Sequence, residues 1–156
     1  MRLRLDLQVA LDPAQHVLPT KRVMSRWIKT ALADSGEFAE LTVRVVSAAE
    51  MAELNGTYRH KAGPTNVLSF ESGHSEEEGG GYLGDIVLCP EVVEREASEQ
   101  NKALEAHWAH MLVHGTLHLL GYDHIDESEA QQMEKLEVDI MKTLKFSDPY
   151  QAHLLP

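Results

Sequence analysis

Three histidines in the segment HGTLHLLGYDH, at positions 114, 118 and 124, have the residue type and spacing to collect one divalent metal ion. His114 and His118 are four apart, so on a helix both imidazoles leave the same face one turn apart, with β-carbons about 6 Å from each other. Gly121 is a natural helix stop, because glycine takes the left-handed backbone that lets the chain reverse. The reversal swings His124 back toward the other two. Three neutral imidazoles leave a fourth coordination position for water, which is the arrangement of a catalytic zinc rather than a structural one. The competing reading is a set of surface or hydrogen-bonded core histidines. Against it stands the neighbourhood: from Met111 to Leu120 apolar residues surround the helix on nearly every side, so it should be buried. An unpaired buried polar group costs about 1–3 kcal/mol, and shared metal ligation satisfies both imidazoles at once. One Zn2+ is the expected ion, although three imidazoles also accept nickel, copper or cobalt.

The spacing HxxxHxxGxxH is that of metzincin proteases, HExxHxxGxxH, with Gly115 in place of the glutamate that serves those enzymes as general base. A metal still lowers the pKa of bound water to about 7, so hydrolysis remains open. Glutamate-assisted peptide hydrolysis does not. A substrate with an internal nucleophile, such as an RNA phosphodiester with its 2′-hydroxyl, suits a site offering metal and positive charge without that base. Asp123 either orients a ligand, handles a proton, or makes a purely local hydrogen bond. His60, His107 and His110 are spare imidazoles; His110, one turn before His114, is the nearest rival to His124 as third ligand.

The elements that must position these residues are legible from periodicity. Leu3, Leu5, Leu7 and Val9 alternate with polar residues as in a half-buried strand. Val23, Trp27, Ile28 and Ala31 have helical spacing between Thr20 and about residue 33. LTVRVV at 41–46 is β-branched and predicts a second strand. Ser47 with Glu50 opens a short helix to about Leu54, followed by a loop through Arg59, Gly63 and Pro64 into a third strand, VLSF at 67–70. The acidic, glycine-rich stretch 71–81 reads as a mobile surface loop. A fourth strand spans Tyr82 to Cys89, and Pro90 starts a helix to about Glu99. The histidine helix covers roughly Lys102 to Leu120; a last helix begins at Asp126 with Glu129, and Met133, Leu136, Ile140 and Leu144 form its apolar stripe. The expected fold is α/β (α+β): a single mixed sheet of about four strands covered by about five helices, with the metal site on a buried helix and the turn after it.

At 156 residues with 43% hydrophobic content, the chain suits one domain spanning 1–156. There is no apolar run of eighteen residues and the start alternates instead of forming a signal segment, so a cytoplasmic protein without a membrane partner is expected. The lone Cys89 is expected to fill core. A net charge of −11 argues, taken whole, against a nucleic-acid partner. The distribution softens this, because residues 1–61 hold nine Lys or Arg against seven Asp or Glu, whereas residues 62–156 hold five against eighteen. Lys21, Arg22, Arg26 and Lys29 form either a solvated helix face or part of a basic groove; Arg59, His60 and Lys61 form a second group.

Four segments in order, LNGTYR at 54–59, PTNVLSF at 64–70, LGDI at 83–86 and HGTLHLLGYDH at 114–124, resemble the YbeY family of bacterial metal-dependent endoribonucleases, over nearly the whole chain. The resemblance implies a zinc-dependent hydrolase that cuts single-stranded RNA, acting in ribosomal RNA maturation at the 3′ end of small-subunit RNA and in ribosome quality control. It implies partners in the small ribosomal subunit and its assembly factors. It also implies His114, His118 and His124 as zinc ligands, with His114 and Arg59 as catalytic residues. A guanidinium at Arg59 suits a phosphodiester; its alternative is a surface salt bridge. Asp85 of LGDI is expected either beside a ligand or capping a turn. Asn66 stands where many members carry Asp, so a structural hydrogen-bonding role is expected there rather than proton acceptance. Two other functions remain open, a metalloprotease-like hydrolase and a non-catalytic zinc-containing ribosome assembly factor; a fourth protein ligand closing the metal site would favour the latter.

Overall fold

A computed structural model describes residues 1–33, 35–73 and 81–151. Its sheet has the order β1-β2-β4-β3, from strands β1 (Arg2–Ala10), β2 (Phe38–Val46), β3 (Val67–Glu71) and β4 (Tyr82–Leu88). β1, β2 and β4 run parallel, and β3 closes one edge antiparallel to β4. Among the described residues five α-helices accompany it: α1 (Lys21–Ala31), α2 (Ala48–Arg59), α3 (Pro90–Glu99), α4 (Leu104–Leu119) and α5 (Glu127–Thr143). The mixed sheet under five helices is the expected architecture. Most of the stretch read as a mobile loop, residues 74–80, lies outside the described residues.

Two apolar layers hold the sheet. One joins Leu41, Val43, Val45, Ile86 and Leu88 to the buried faces of α1, α4 and α5, with Trp27 and Trp108 as its largest side chains. The other packs Met51 of α2 and Val92 of α3 against Val46, Leu68, Val87 and Cys89. Helix starts follow the capping chemistry in the sequence: Thr20, Ser47 and Asp126 each accept a backbone N–H three residues on. Cys89 is fully buried at the start of α3, as expected of a core thiol.

Two boundaries and one buried face differ from expectation. β2 starts three residues early, because Phe38, Ala39 and Glu40 pair with Arg2, Leu3 and Arg4. α2 runs past Leu54 to Arg59, so Arg59 is the last helical residue instead of a loop residue. Asn55, Gly56 and Thr57 are weak helix formers, but Asn55 is buried and its amide donates to the Gly63 carbonyl at 2.9 Å, tying the last turns to the returning chain. The helix ends at His60, in the left-handed conformation at φ 56°. The third difference is in α5, whose buried line is Met133, Glu137 and Met141, with Leu136, Ile140 and Leu144 only partly buried beside it.

Candidate metal centre and its cleft

α4 crosses the sheet at close range because it carries glycine where bulk is forbidden. A β-carbon at Gly115 would lie 2.9 Å from the Ile86 Cγ2 and 3.1 Å from the Ser69 Oγ, and Ser69 donates to the Gly115 carbonyl at 3.0 Å. The position that holds glutamate in the protease pattern is thus pressed onto β3 and β4. On the cleft side, His114 and His118 project together, half-buried, their ring centroids 4.6 Å apart. The helix then ends as the sequence predicts: Gly121 at φ 99° donates to the His118 carbonyl and Tyr122 to the Leu117 carbonyl, which is the paired Schellman closure. His124 returns to within 5.2 Å of the His118 ring and 5.9 Å of the His114 ring.

One ring nitrogen from each of His114, His118 and His124 lies within 4.8 Å of the others, and no fourth donor joins this trio among the described residues. The Nε2 atoms of His114 and His118 face each other at 3.1 Å. Zn–N bonds of 2.0–2.1 Å in tetrahedral array put ligand nitrogens about 3.3 Å apart, so the donor set fits such an ion with little adjustment. Burial, then the neighbouring His114 and His124, lowers the His118 pKa below its ordinary value. A metal ligand must be neutral, and this shift favours that form.

Behind the trio sits a group that the sequence reading missed. Glu137 is buried, 1% exposed, with one carboxylate oxygen 3.0 Å from the His114 Nδ1 and the other bonded to the His110 Nε2 and, at 2.6 Å, to the Tyr150 hydroxyl. Burial alone would raise this carboxyl, but the bonds to His110 and His114 outweigh it and hold it down to about 2. His110 is therefore occupied by a carboxylate, away from the trio. His107 pairs likewise with Glu96 at 3.0 Å, and His60 is an exposed helix cap.

The trio lines a cleft of about 750 Å³. Asn55 and Arg59 of α2, Lys61 just past its end, and Thr65 to Glu71 leading into and along β3 also line it. Arg59 is exposed; its guanidinium donates to the Ser69 carbonyl at 2.8 Å and sits 5.1 Å over the Phe70 ring. Lys21, Arg22, Arg26 and Lys29 lie exposed along α1 and contribute nothing to this cleft. Asp123 lines it, and its Oδ1 accepts the His124 backbone N–H at 2.7 Å, with the His124 Nδ1 a looser 3.8 Å from the same oxygen. Asn66 is a structural anchor as expected, donating to Glu96 at 2.9 Å and accepting from the Val67 N–H at 2.6 Å. Asp85 bonds the Tyr82 hydroxyl and takes no part in the cleft.

Imidazoles converging on one wall and a steered guanidinium in the same cleft have the make-up of a hydrolase site for an anionic substrate. The family model described as endoribonuclease YbeY matches residues 12–145, and the chain belongs to that family, whose members are RNA-cleaving hydrolases. The fold agrees with a solved relative: the solution structure of TM1509 from Thermotoga maritima superposes with a TM-score of 0.56 at 24% identity, covering 96% of this chain and 99% of that one. No helix among the described residues is long and apolar enough to cross a membrane.

Proposed function

We propose that the chain, acting in the cytoplasm as one domain over residues 1–156, is a zinc-dependent endoribonuclease specific for single-stranded RNA. Its substrate on this reading is ribosomal RNA, cut near the 3′ end of the small-subunit species during maturation and quality control, in company with the small subunit and its assembly factors. The observation that carries the reading is the sharing of one open cleft by the imidazole trio and Arg59. His114, His118 and His124 would hold the ion, which when bound supplies a Lewis acid and lowers the pKa of water.

The chain's own residues do the rest. Arg59 offers five N–H donors, of which the Ser69 and Tyr58 carbonyls occupy one each among the described residues, leaving others for a phosphodiester oxygen. Its ring contact with Phe70 holds the guanidinium plane before substrate arrives, so less rotamer freedom is lost on binding. Lys61 adds a second positive charge two residues on. Gly115 leaves no protease-type glutamate beside the first ligand, and a trio with no fourth donor among the described residues favours catalysis over a closed structural ion.

The test is cleavage of single-stranded RNA by wild type, by chelator-treated protein and by His114→Ala. We expect cleavage only from the untreated wild type, with restoration of the treated protein by zinc. Full activity after verified metal removal, or in a well-folded His114→Ala, would overturn the proposal. A 2′,3′-cyclic phosphate on the product would identify the RNA hydroxyl as nucleophile, and a 5′-phosphate would identify water.

A further inference from the structure

Every polar contact of the Glu137 carboxylate points to one task. Its Oε2 is pinned from two sides, by the His110 Nε2 and by the Tyr150 hydroxyl, so the group cannot rotate without breaking both. That leaves Oε1 for the His114 Nδ1 at 3.0 Å. A carboxylate only accepts, so Nδ1 of His114 must carry the hydrogen, and the Nε2 lone pair is thereby turned toward His118 and His124. The glutamate itself lies one turn beyond Met133 and one before Met141, both buried, so α5 is locked where it delivers the carboxylate. Tyr150 brings the C-terminal segment into the same arrangement: its ring packs edge-on to His110 at 5.2 Å, and the preceding Pro149 carbonyl accepts from the Lys102 ammonium at 2.7 Å.

We infer that Glu137 is a positioning residue for the metal centre: it selects the Nδ1–H tautomer of His114 and, braced by His110 and Tyr150, holds that ring ready to ligate through Nε2. The inference rests on the metal reading proposed above. Its rival uses the same atoms, because His110, His114 and Glu137 also bring one potential ligand atom each within 4.8 Å. Burial favours positioning: Glu137 and His110 are 1% and 6% exposed, whereas the cleft opens on the Nε2 side of His114. A buried carboxylate bonded to the far nitrogen of a ligating imidazole is also the commoner arrangement.

The experiment titrates zinc alone, in competition with a chromophoric chelator, into metal-free wild type, Glu137→Gln and Met133→Ala, and reads the His114 tautomer of each metal-free protein by 15N NMR. Met133→Ala removes buried bulk from the same helix face without touching the carboxylate. We expect wild type to bind one equivalent with His114 in the Nδ1–H form. Glu137→Gln should bind about 10- to 100-fold more weakly with a mixed tautomer, while Met133→Ala, though less stable, keeps wild-type affinity. Unchanged affinity and tautomer in Glu137→Gln overturns the inference while leaving the metal reading intact. Equal weakening in Met133→Ala overturns it by reducing the effect to stability. Two equivalents in wild type, with one lost in Glu137→Gln, overturns it in favour of a second ion. Absence of tight zinc binding by wild type removes the metal reading, and the inference falls with it.

Discussion

Replacing Gly115 by alanine tests whether packing, rather than chemistry, excludes a side chain beside the first histidine. In an isolated helix the change would stabilise by about 1 kcal/mol. Here the new methyl would lie 2.9 Å from the Ile86 Cγ2, 3.1 Å from the Ser69 Oγ and 3.4 Å from the Val67 Cγ2. Ile86 is fully buried and β-branched, so its methyl has little freedom to turn away. Ser69 is held by its bond to the Gly115 carbonyl. Overpacking a site of this kind costs about 1–3 kcal/mol, and the rigid neighbours place it in the upper part of that range. Net destabilisation is then about 1–2 kcal/mol, which for a chain of this length lowers Tm by about 2–8 °C. Pushing α4 off the sheet also displaces His114, so RNA cleavage should fall more than the small loss of folded protein explains. Thermal and urea denaturation, run beside a cleavage assay, measure both effects. A Gly115→Ala protein as stable as wild type would refute the close-packing account. So would a stably folded Gly115→Glu variant that hydrolyses casein.

Arg59→Ala should separate activity from stability, because the exposed guanidinium makes one strong backbone bond and a ring contact worth about 0.5–1 kcal/mol. We expect Tm to change little while kcat/KM for single-stranded RNA falls about 100- to 1,000-fold, the usual effect of removing a donor to developing charge; unimpaired cleavage by the folded variant would dismiss Arg59 from the site. The Glu96 carboxyl gives a pH prediction: the bond from His107, outweighing burial, sets its folded pKa below the ordinary 4.5. Its stabilisation is therefore complete above about pH 4.5 and is lost as pH falls through the folded value. Urea midpoints from about pH 6 down to about pH 3 should drop less steeply for Glu96→Gln than for wild type, and parallel curves would contradict the linkage.

What the sequence made legible, and what it hid, divides along local and non-local physics. Strands, caps and the Gly121 reversal follow from residues within a few positions of each other, and the structure reproduces them closely. Asn55 shows the first kind of failure. Its helix propensity is poor, but its bond to Gly63 across the following turn helps hold the last turns of α2, which runs to Arg59 and so places a candidate phosphate ligand on a helix end rather than in a loop. Glu137 shows the second. A glutamate in an amphipathic helix reads as solvated surface, and nothing within α5 distinguishes it from Glu134 or Glu127 except its place in phase with Met133 and Met141. That phase was a usable signal: an ionisable residue at the centre of a buried line must have partners. The spare His110, two turns before His118, and the ligand His114, one turn before it, supply two of them. A buried acid on one helix and a surplus buried imidazole, His110, on another are thus complementary deficits, each accounting for the other, even though no local pattern names the pairing.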